Sequence, residues 1–161
     1  FLYVASRLNH LAKFVVAGRL DFENKDCIPK DELYKSIQKN HIEYIGHAEN
    51  MESILRNCSI VSLPSYYGEG LPLILIEAAS SGRPIVTTDH PGCRDAVING
   101  ITGYLVPIKD KEALTKSIRN LLSDFELMKK MGNNARVFAE ENFDINLVVK
   151  KHLEIYSILS K

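Results

Sequence analysis

Short apolar runs rich in β-branched residues alternate along this chain with stretches of helical period, and no other feature constrains the fold as strongly. Residues 1–6, 13–17, 42–45, 60–63, 84–87 and 103–106 read as strands. Residues 30–40, 51–57, 71–81 and 111–123 read as helices, each ending near a polar residue or a glycine. Strand and helix in alternation predict an α/β domain built on a parallel sheet with helices packed against it. At 161 residues the chain has room for one such domain, spanning 1–161, with helices forming its carboxyl-terminal part from about residue 124.

Two places need more than this pattern. The first two strand candidates are joined by residues 7–12 alone, whereas a parallel crossover takes about a dozen residues or more. Either these strands form a hairpin, or a helix that belongs between them is absent. At the other end, helix-like sequence runs from Asp124 onward with one interruption around residues 142–144. Ile145, Val148, Val149, Leu153, Tyr156 and Leu159 then fall on one helical face, so the last helix should dock, either on this domain or on a partner domain.

Composition removes several function classes. Lysine plus arginine equals aspartate plus glutamate at 20 each, so no basic field is available to hold a nucleic-acid backbone. No apolar run approaches the ~20 residues that cross a bilayer. Cys27, Cys58 and Cys93 are widely spaced and read as reduced thiols, which suits the cytoplasm. His10, His41, His47, His90 and His152 include no pair at helical metal-site spacing, so no metal is expected. The chain opens on apolar residues without a methionine or a charged leader, as a segment of a longer protein would.

Residues 65–84, SYYGEGLPLILIEAASSGRP, carry the most chemistry. A buried strand runs through a glycine-containing turn into a helix whose first turn holds Pro72, a residue tolerated there because the first amides of a helix have no internal partner. Those amides point back at the turn, and a helix amino terminus at the carboxyl end of a parallel strand suits an anion such as phosphate. Gly68 and Gly70 let a ligand approach the backbone. Glu69 precedes this helix and Glu77 lies within it, behind Leu73, Ile74, Leu75 and Ile76. A carboxylate on so apolar a helix needs a partner, either the paired hydroxyls of a ribose or hexose or a buried arginine or lysine.

Glu69 and Glu77, set seven residues apart within EGLPLILIEA, closely resemble the E-x7-E motif of the retaining glycosyltransferases of family 4. The later stretches SGRPIVTTD, PGCRDAV and NGITGYLVP resemble consecutive blocks of the same family. The resemblance implies a Rossmann-like domain, the carboxyl-terminal, donor-binding half of a two-domain GT-B enzyme whose amino-terminal acceptor domain is absent. It implies that Glu69 is the catalytic carboxylate and contacts the donor sugar. Gly68, Gly70 and Leu71 would help hold sugar and diphosphate, Glu77 the ribose, and Ile45, Gly46 and His47 the base. Arg7, within ASRL, matches an arginine that the family places beside the diphosphate just after the first strand. The lysine-glycine block that should follow is not matched, and Lys13, at a strand edge, is no substitute. The segment reads as deleted, and this chain alone is expected to be inactive.

The whole enzyme implied by the resemblance passes a hexose from a UDP- or GDP-sugar to a polysaccharide or lipid-linked acceptor hydroxyl, with retention and without a cofactor. Work on lipopolysaccharide or related surface glycans would place it in the cytoplasm, at the inner face of the membrane, with peripheral association through the absent domain. Two alternatives use the same fold: a sugar-nucleotide epimerase and a non-catalytic nucleotide-sugar-binding module. Asp89 and His90 follow a strand where ligands bind in such folds, but turn chemistry explains them as well, and Asp95 suits a cap on a short helix. No nucleophile elbow, Walker block or dinucleotide fingerprint is present.

Overall fold

A computed structural model describes residues 1–21, 23, 27–68 and 70–159. The chain begins with a helix, α1 (Leu2–Leu8), where a strand over residues 1–6 is expected. Its buried side chains are Val4, Ala5 and Leu8, a one-turn spacing that faces the core only if the backbone is helical. So short an apolar run fits either period, which is why sequence pattern misassigns it. With α1 in place, residues 7–12 lead from a helix into β1 (Val15–Ala17). Neither a hairpin nor a lost helix is needed between them.

The remaining elements follow the expected alternation. They are α2 (Lys30–Asn40), β2 (Glu43–Gly46), α3 (Met51–Asn57), β3 (Val61–Leu63), α4 (Leu73–Ser80), β4 (Ile85–Thr88), a 3-10 turn (Arg94–Ala96), β5 (Gly103–Val106) and α5 (Lys111–Ser123). Two long helices, α6 (Phe125–Phe143) and α7 (Ile145–Leu159), complete the chain and meet at Asp144, where the helical pattern breaks in the sequence. The helix expected over 71–81 starts two residues later, because Pro72 stays extended at ψ 124° and forms its cap.

Every described strand pair is parallel. β1 pairs with β2, and β4 lies between β3 and β5, with Val61 opposite Ile85 and Ile85 opposite Gly103. The two groups of strands do not hydrogen-bond to each other among the described residues. Helices α1, α2 and α5 pack together on one face, and α3, α4 and α6 on the other. Each face buries its own core: Val4, Leu8, Phe14, Ile42, Val86, Val106 and Ile118 on the first, and Leu55, Leu75, Ala78, Ile85, Val97 and Ala135 on the second. The alternation of Ile85 and Val86 between these cores is the period-two signature of a strand covered on both sides.

Close backbone approach fixes the second face. A β-carbon on Gly132 of α6 would stand 2.3 Å from the carbonyl oxygen of Gly82, so α6 rests directly on the turn that ends α4. Gly82 itself holds φ +66°, the left-handed conformation of a helix stop. Arg136, one turn further along α6, donates to the Ser80 carbonyl and pairs with Glu140. By contrast α7 buries none of its residues and touches only α6 to any extent. The docking expected of its apolar face is therefore not made on this domain, and Ile145, Leu153 and Leu159 are exposed. No helix among the described residues is long and apolar enough to cross a membrane.

Candidate functional site

Because the strands of each sheet are parallel, the segments that follow them gather at its carboxyl edge. Gly18 and His47 follow β1 and β2, residues 64–68 and 70–72 follow β3, Asp89 and His90 follow β4, and residues 107–110 follow β5. This carboxyl edge is where open α/β sheets bind ligands. Among the described residues, the sequence-derived candidates Ile45, Gly46, His47, Gly68, Gly70 and Leu71 all lie there, with Glu77 within α4 just behind it. Glu69 lies outside the described residues.

The loop after β3 starts from a fixed foundation. Thr87 and Thr88 of β4 are 0% and 2% exposed, and each turns its hydroxyl sideways to the neighbouring strand. Thr87 Oγ1 donates to the Leu63 carbonyl at 2.6 Å, and Thr88 Oγ1 donates to the Ser65 carbonyl. Buried hydroxyls need such partners, and these two extend the pairing of β3 past its last ladder position. Sequence reasoning passes over both, since threonine in a strand reads as β propensity.

Gly68 and Gly70 occupy open ground. A β-carbon at either would meet nothing within 4 Å, and neither has the positive φ that favours glycine. Internal packing and backbone conformation therefore give no reason for glycine at either position, which leaves what approaches from outside. Beyond them, α4 has no side-chain cap, so its first amides have no side-chain acceptor. Glu77 is half-buried, and no described residue hydrogen-bonds to its carboxylate or pairs with it. The arginine or lysine partner left open by the sequence is not found.

The loops after β1 and β2 are tied to one another. Gly18 donates its amide to the Gly46 carbonyl at 2.7 Å, and Tyr44 Oη donates to the Gly18 carbonyl at 2.9 Å. Gly46 holds φ +63°, which turns the chain at the end of β2 and leaves His47 exposed. Asp89 pairs with Arg94 at 2.5 Å, and His90 Nδ1 lies 3.0 Å from the Pro91 carbonyl, so turn chemistry accounts for both. Asp95 stands within the 3-10 turn, whose amino-terminal cap position is Cys93, and no side chain caps that turn.

Arg7 does not join this group. It lies on the last turn of α1, not after a strand, so its match to an arginine following the first strand loses its basis. Its exposed guanidinium sits in a groove between α1 and α5 with Glu112, Thr115, Lys116 and Arg119. Contact with Tyr3, and the field of Tyr3 and Glu112, raise its pKa. Among the described residues no group of histidine, cysteine, aspartate or glutamate is placed to hold a metal ion.

Two features of this edge lie outside the sequence-derived set. Tyr66 and Tyr67 stack with ring centroids 4.7 Å apart, and Lys109 from the loop after β5 lays its Nζ 4.6 Å from the centroid of Tyr66. Lys109 has φ +62°, one of two described non-glycine residues in the left-handed region. The doubled tyrosine is visible in sequence; its partner on another loop is not.

Comparison with known proteins gives a consistent picture. The family model described as glycosyl transferases group 1 matches residues 2–138. An N,N'-diacetylbacillosaminyl-diphospho-undecaprenol alpha-1,3-N-acetylgalactosaminyltransferase of Campylobacter jejuni is 32% identical over all of this chain, which spans 41% of that protein. The capsular polysaccharide biosynthesis glycosyltransferase CapM of Staphylococcus aureus is 28% identical over 92% of this chain and 38% of its own length. Among solved structures, HepE of Anabaena in complex with UDP superposes with a TM-score of 0.88 at 20% identity, over 97% of this chain and 43% of that one. Its complex with UDP-glucose gives 0.86 at 19% identity, with the same coverage. The chain thus spans about two fifths of the length of these curated relatives.

Proposed function

Given that the chain belongs to the glycosyl transferases group 1 family and has the fold of the carboxyl-terminal half of a GT-B glycosyltransferase, we propose that it binds the nucleotide-sugar donor of a retaining enzyme of family 4. The donor lies along the carboxyl edge. Its diphosphate faces the uncapped amino terminus of α4 and the backbone at Gly68, Gly70 and Leu71, where amides and the helix dipole favour negative charge. Its ribose hydroxyls donate to Glu77, and its base meets Ile45, Gly46 and His47. Glu69 contacts the donor sugar and serves as the catalytic carboxylate.

The observation that carries this reading is Glu77, a half-buried carboxylate on an apolar helix with no partner among the described residues. Paired hydroxyls supply what such a group lacks. HepE, with the same fold, is solved with UDP and with UDP-glucose, which supports a uridine donor over a guanosine one. The acceptor hydroxyl belongs to a lipid-linked sugar or a growing polysaccharide, in keeping with the names of the Campylobacter and Staphylococcus relatives. Transfer of a hexose to such an acceptor would take place on the cytoplasmic side of the membrane, and would need residues beyond this domain.

Calorimetric titration with UDP, GDP and UDP-glucose, with and without magnesium, tests the reading. Saturable, magnesium-independent binding of UDP is expected, and Glu77→Gln should weaken it about tenfold, the loss expected for a charge-assisted hydrogen bond. Unchanged UDP affinity in that variant would remove Glu77 from the ribose.

A further inference from the structure

β4 lies between β3 and β5, and the loops that leave those two strands touch each other through Tyr66 and Lys109. Each loop departs from backbone anchored on β4 or just past it. Thr88 Oγ1 donates to the Ser65 carbonyl, next to Tyr66, and the Asp89 amide donates to the Val106 carbonyl at 2.7 Å, at the end of β5. The chain then turns over residues 107–110, closed by the Asp110 amide on the Pro107 carbonyl at 3.2 Å, and Asp110 caps α5 through the amides of Glu112 and Ala113. Lys109 is the third residue of that turn, with φ +62°, a place where turn chemistry favours glycine or asparagine. An unfavourable backbone kept under a lysine on a ligand-facing loop points to a task for its side chain. That side chain sets Nζ 4.6 Å from the centroid of Tyr66, and Tyr67 stacks on Tyr66 at 4.7 Å with 24° between the planes. Among the described residues no carboxylate pairs with Lys109.

Tyr67 leads directly into Gly68, and a β-carbon at Gly68 or at Gly70 would have nothing within 4 Å of it. On its amino-terminal side, the backbone assigned to the diphosphate therefore depends for its placement on how the two rings are held. We propose that Lys109 is a positioning residue for donor binding: from the loop after β5 it clasps Tyr66 by a cation-π contact, and so sets where the backbone around Gly68 and Gly70 meets the diphosphate. The inference rests on the donor reading above and adds to it a residue two strands away that acts through Tyr66 and touches no part of the donor. An ammonium over an exposed ring shifts an equilibrium only a few-fold, so Lys109 tunes the loop rather than builds it. Amides already in place when the anion arrives spare it the cost of ordering them.

The test is an NMR titration of the 15N-labelled chain with uridine, UDP and UDP-glucose, in the wild type, Lys109→Gln, Lys109→Arg, Tyr66→Leu, and Lys109→Gln combined with Tyr66→Leu. Glutamine and arginine keep a β-carbon at the left-handed position, so the two Lys109 variants differ chiefly in charge. Without ligand, Lys109→Gln should move the amides of Tyr66, Tyr67 and Gly68, and Lys109→Arg should leave them close to the wild type. With ligand, Lys109→Gln should weaken UDP and UDP-glucose about threefold, the factor a surface cation-π contact supplies, and leave uridine unchanged. Lys109→Arg should retain the wild-type affinities. Because Lys109 acts through Tyr66, the combined variant should bind UDP no more weakly than Tyr66→Leu alone. Losses that add in the combined variant would mean that Lys109 meets the diphosphate itself, and would overturn the positioning role. Ligand-free amides unmoved by Lys109→Gln, or a loss for uridine equal to that for UDP, would overturn it as well. UDP binding untouched by Lys109→Gln overturns the positioning role alone, whereas a wild type that binds none of the three ligands overturns the donor assignment and the positioning role with it.

Discussion

β4 is buried at all four of its positions, whereas β1 is exposed at two of its three, although both are parallel strands with helices beside them. The difference lies in what flanks each strand. β4 has a hydrogen-bonded neighbour on either side and a core on either face, and its threonines tie down the exit of β3. β1 has β2 on one side and an open edge on the other, with Val15 38% exposed. The segment that carries Gly68 and Gly70 therefore springs from the tight half of the molecule, while the positions assigned to the base spring from the loose half. A donor spanning both would have its phosphates at the fixed end and its base at the end that can adjust.

Substitutions can break this contrast or sharpen it. The largest effect is expected from Gly132→Val, which forces a side chain onto the Gly82 backbone and should cost about 3 kcal/mol or more in urea unfolding. Val86→Thr should cost about 2 kcal/mol, because the new hydroxyl enters a fully buried site. The same change at Val15 should stay within about 0.5 kcal/mol, and comparable losses at the two sites would show β1 to be as well packed as β4. Thr87→Val removes the bond to Leu63 and should cost about 1 kcal/mol. UDP-glucose affinity should fall with it in a titration, since the loop loses an anchor.

The smallest effect concerns Cys58, between α3 and β3. Burial raises its thiol above the ordinary 9.0. The thiol is neutral in both states below that value, so stability is unaffected there. As pH rises past 9.0 the unfolded chain ionises first, and stability should fall through the folded pKa. Denaturant midpoints for the wild type and Cys58→Ala, compared from pH 8 to 10.5, should diverge only in the upper part of that range. Parallel curves would mean that Cys58 is as wet as a thiol on the loose side.

Sequence and structure agree best where local pattern and tertiary burial say the same thing. Residues 85–88 form a continuous apolar and β-branched run between Pro84 and Asp89, and a strand covered on both faces needs just that. Residues 1–6 are equally apolar but too short to show a period, and only the packing of Val4, Ala5 and Leu8 decides for helix. That one misreading also carried Arg7 to a strand end it does not occupy. The glycine-rich loop was legible because its residue types are unusual where they stand. The meeting of Lys109 with Tyr66 was not, because nothing local to either marks it, and lysine gives no sign of a positive φ. The apolar face of α7 reads in sequence as one that should dock, and this domain offers it no surface beyond α6.

The hydroxyls of Thr87 and Thr88 separate two things that a variable binding loop would otherwise confound. They grip backbone carbonyls, of Leu63 and Ser65, and are indifferent to the side chains those residues carry. The sequence from residue 66 onward can therefore change without shifting the point from which the loop departs. Change in this loop has a protected origin, laid down in the least accessible strand.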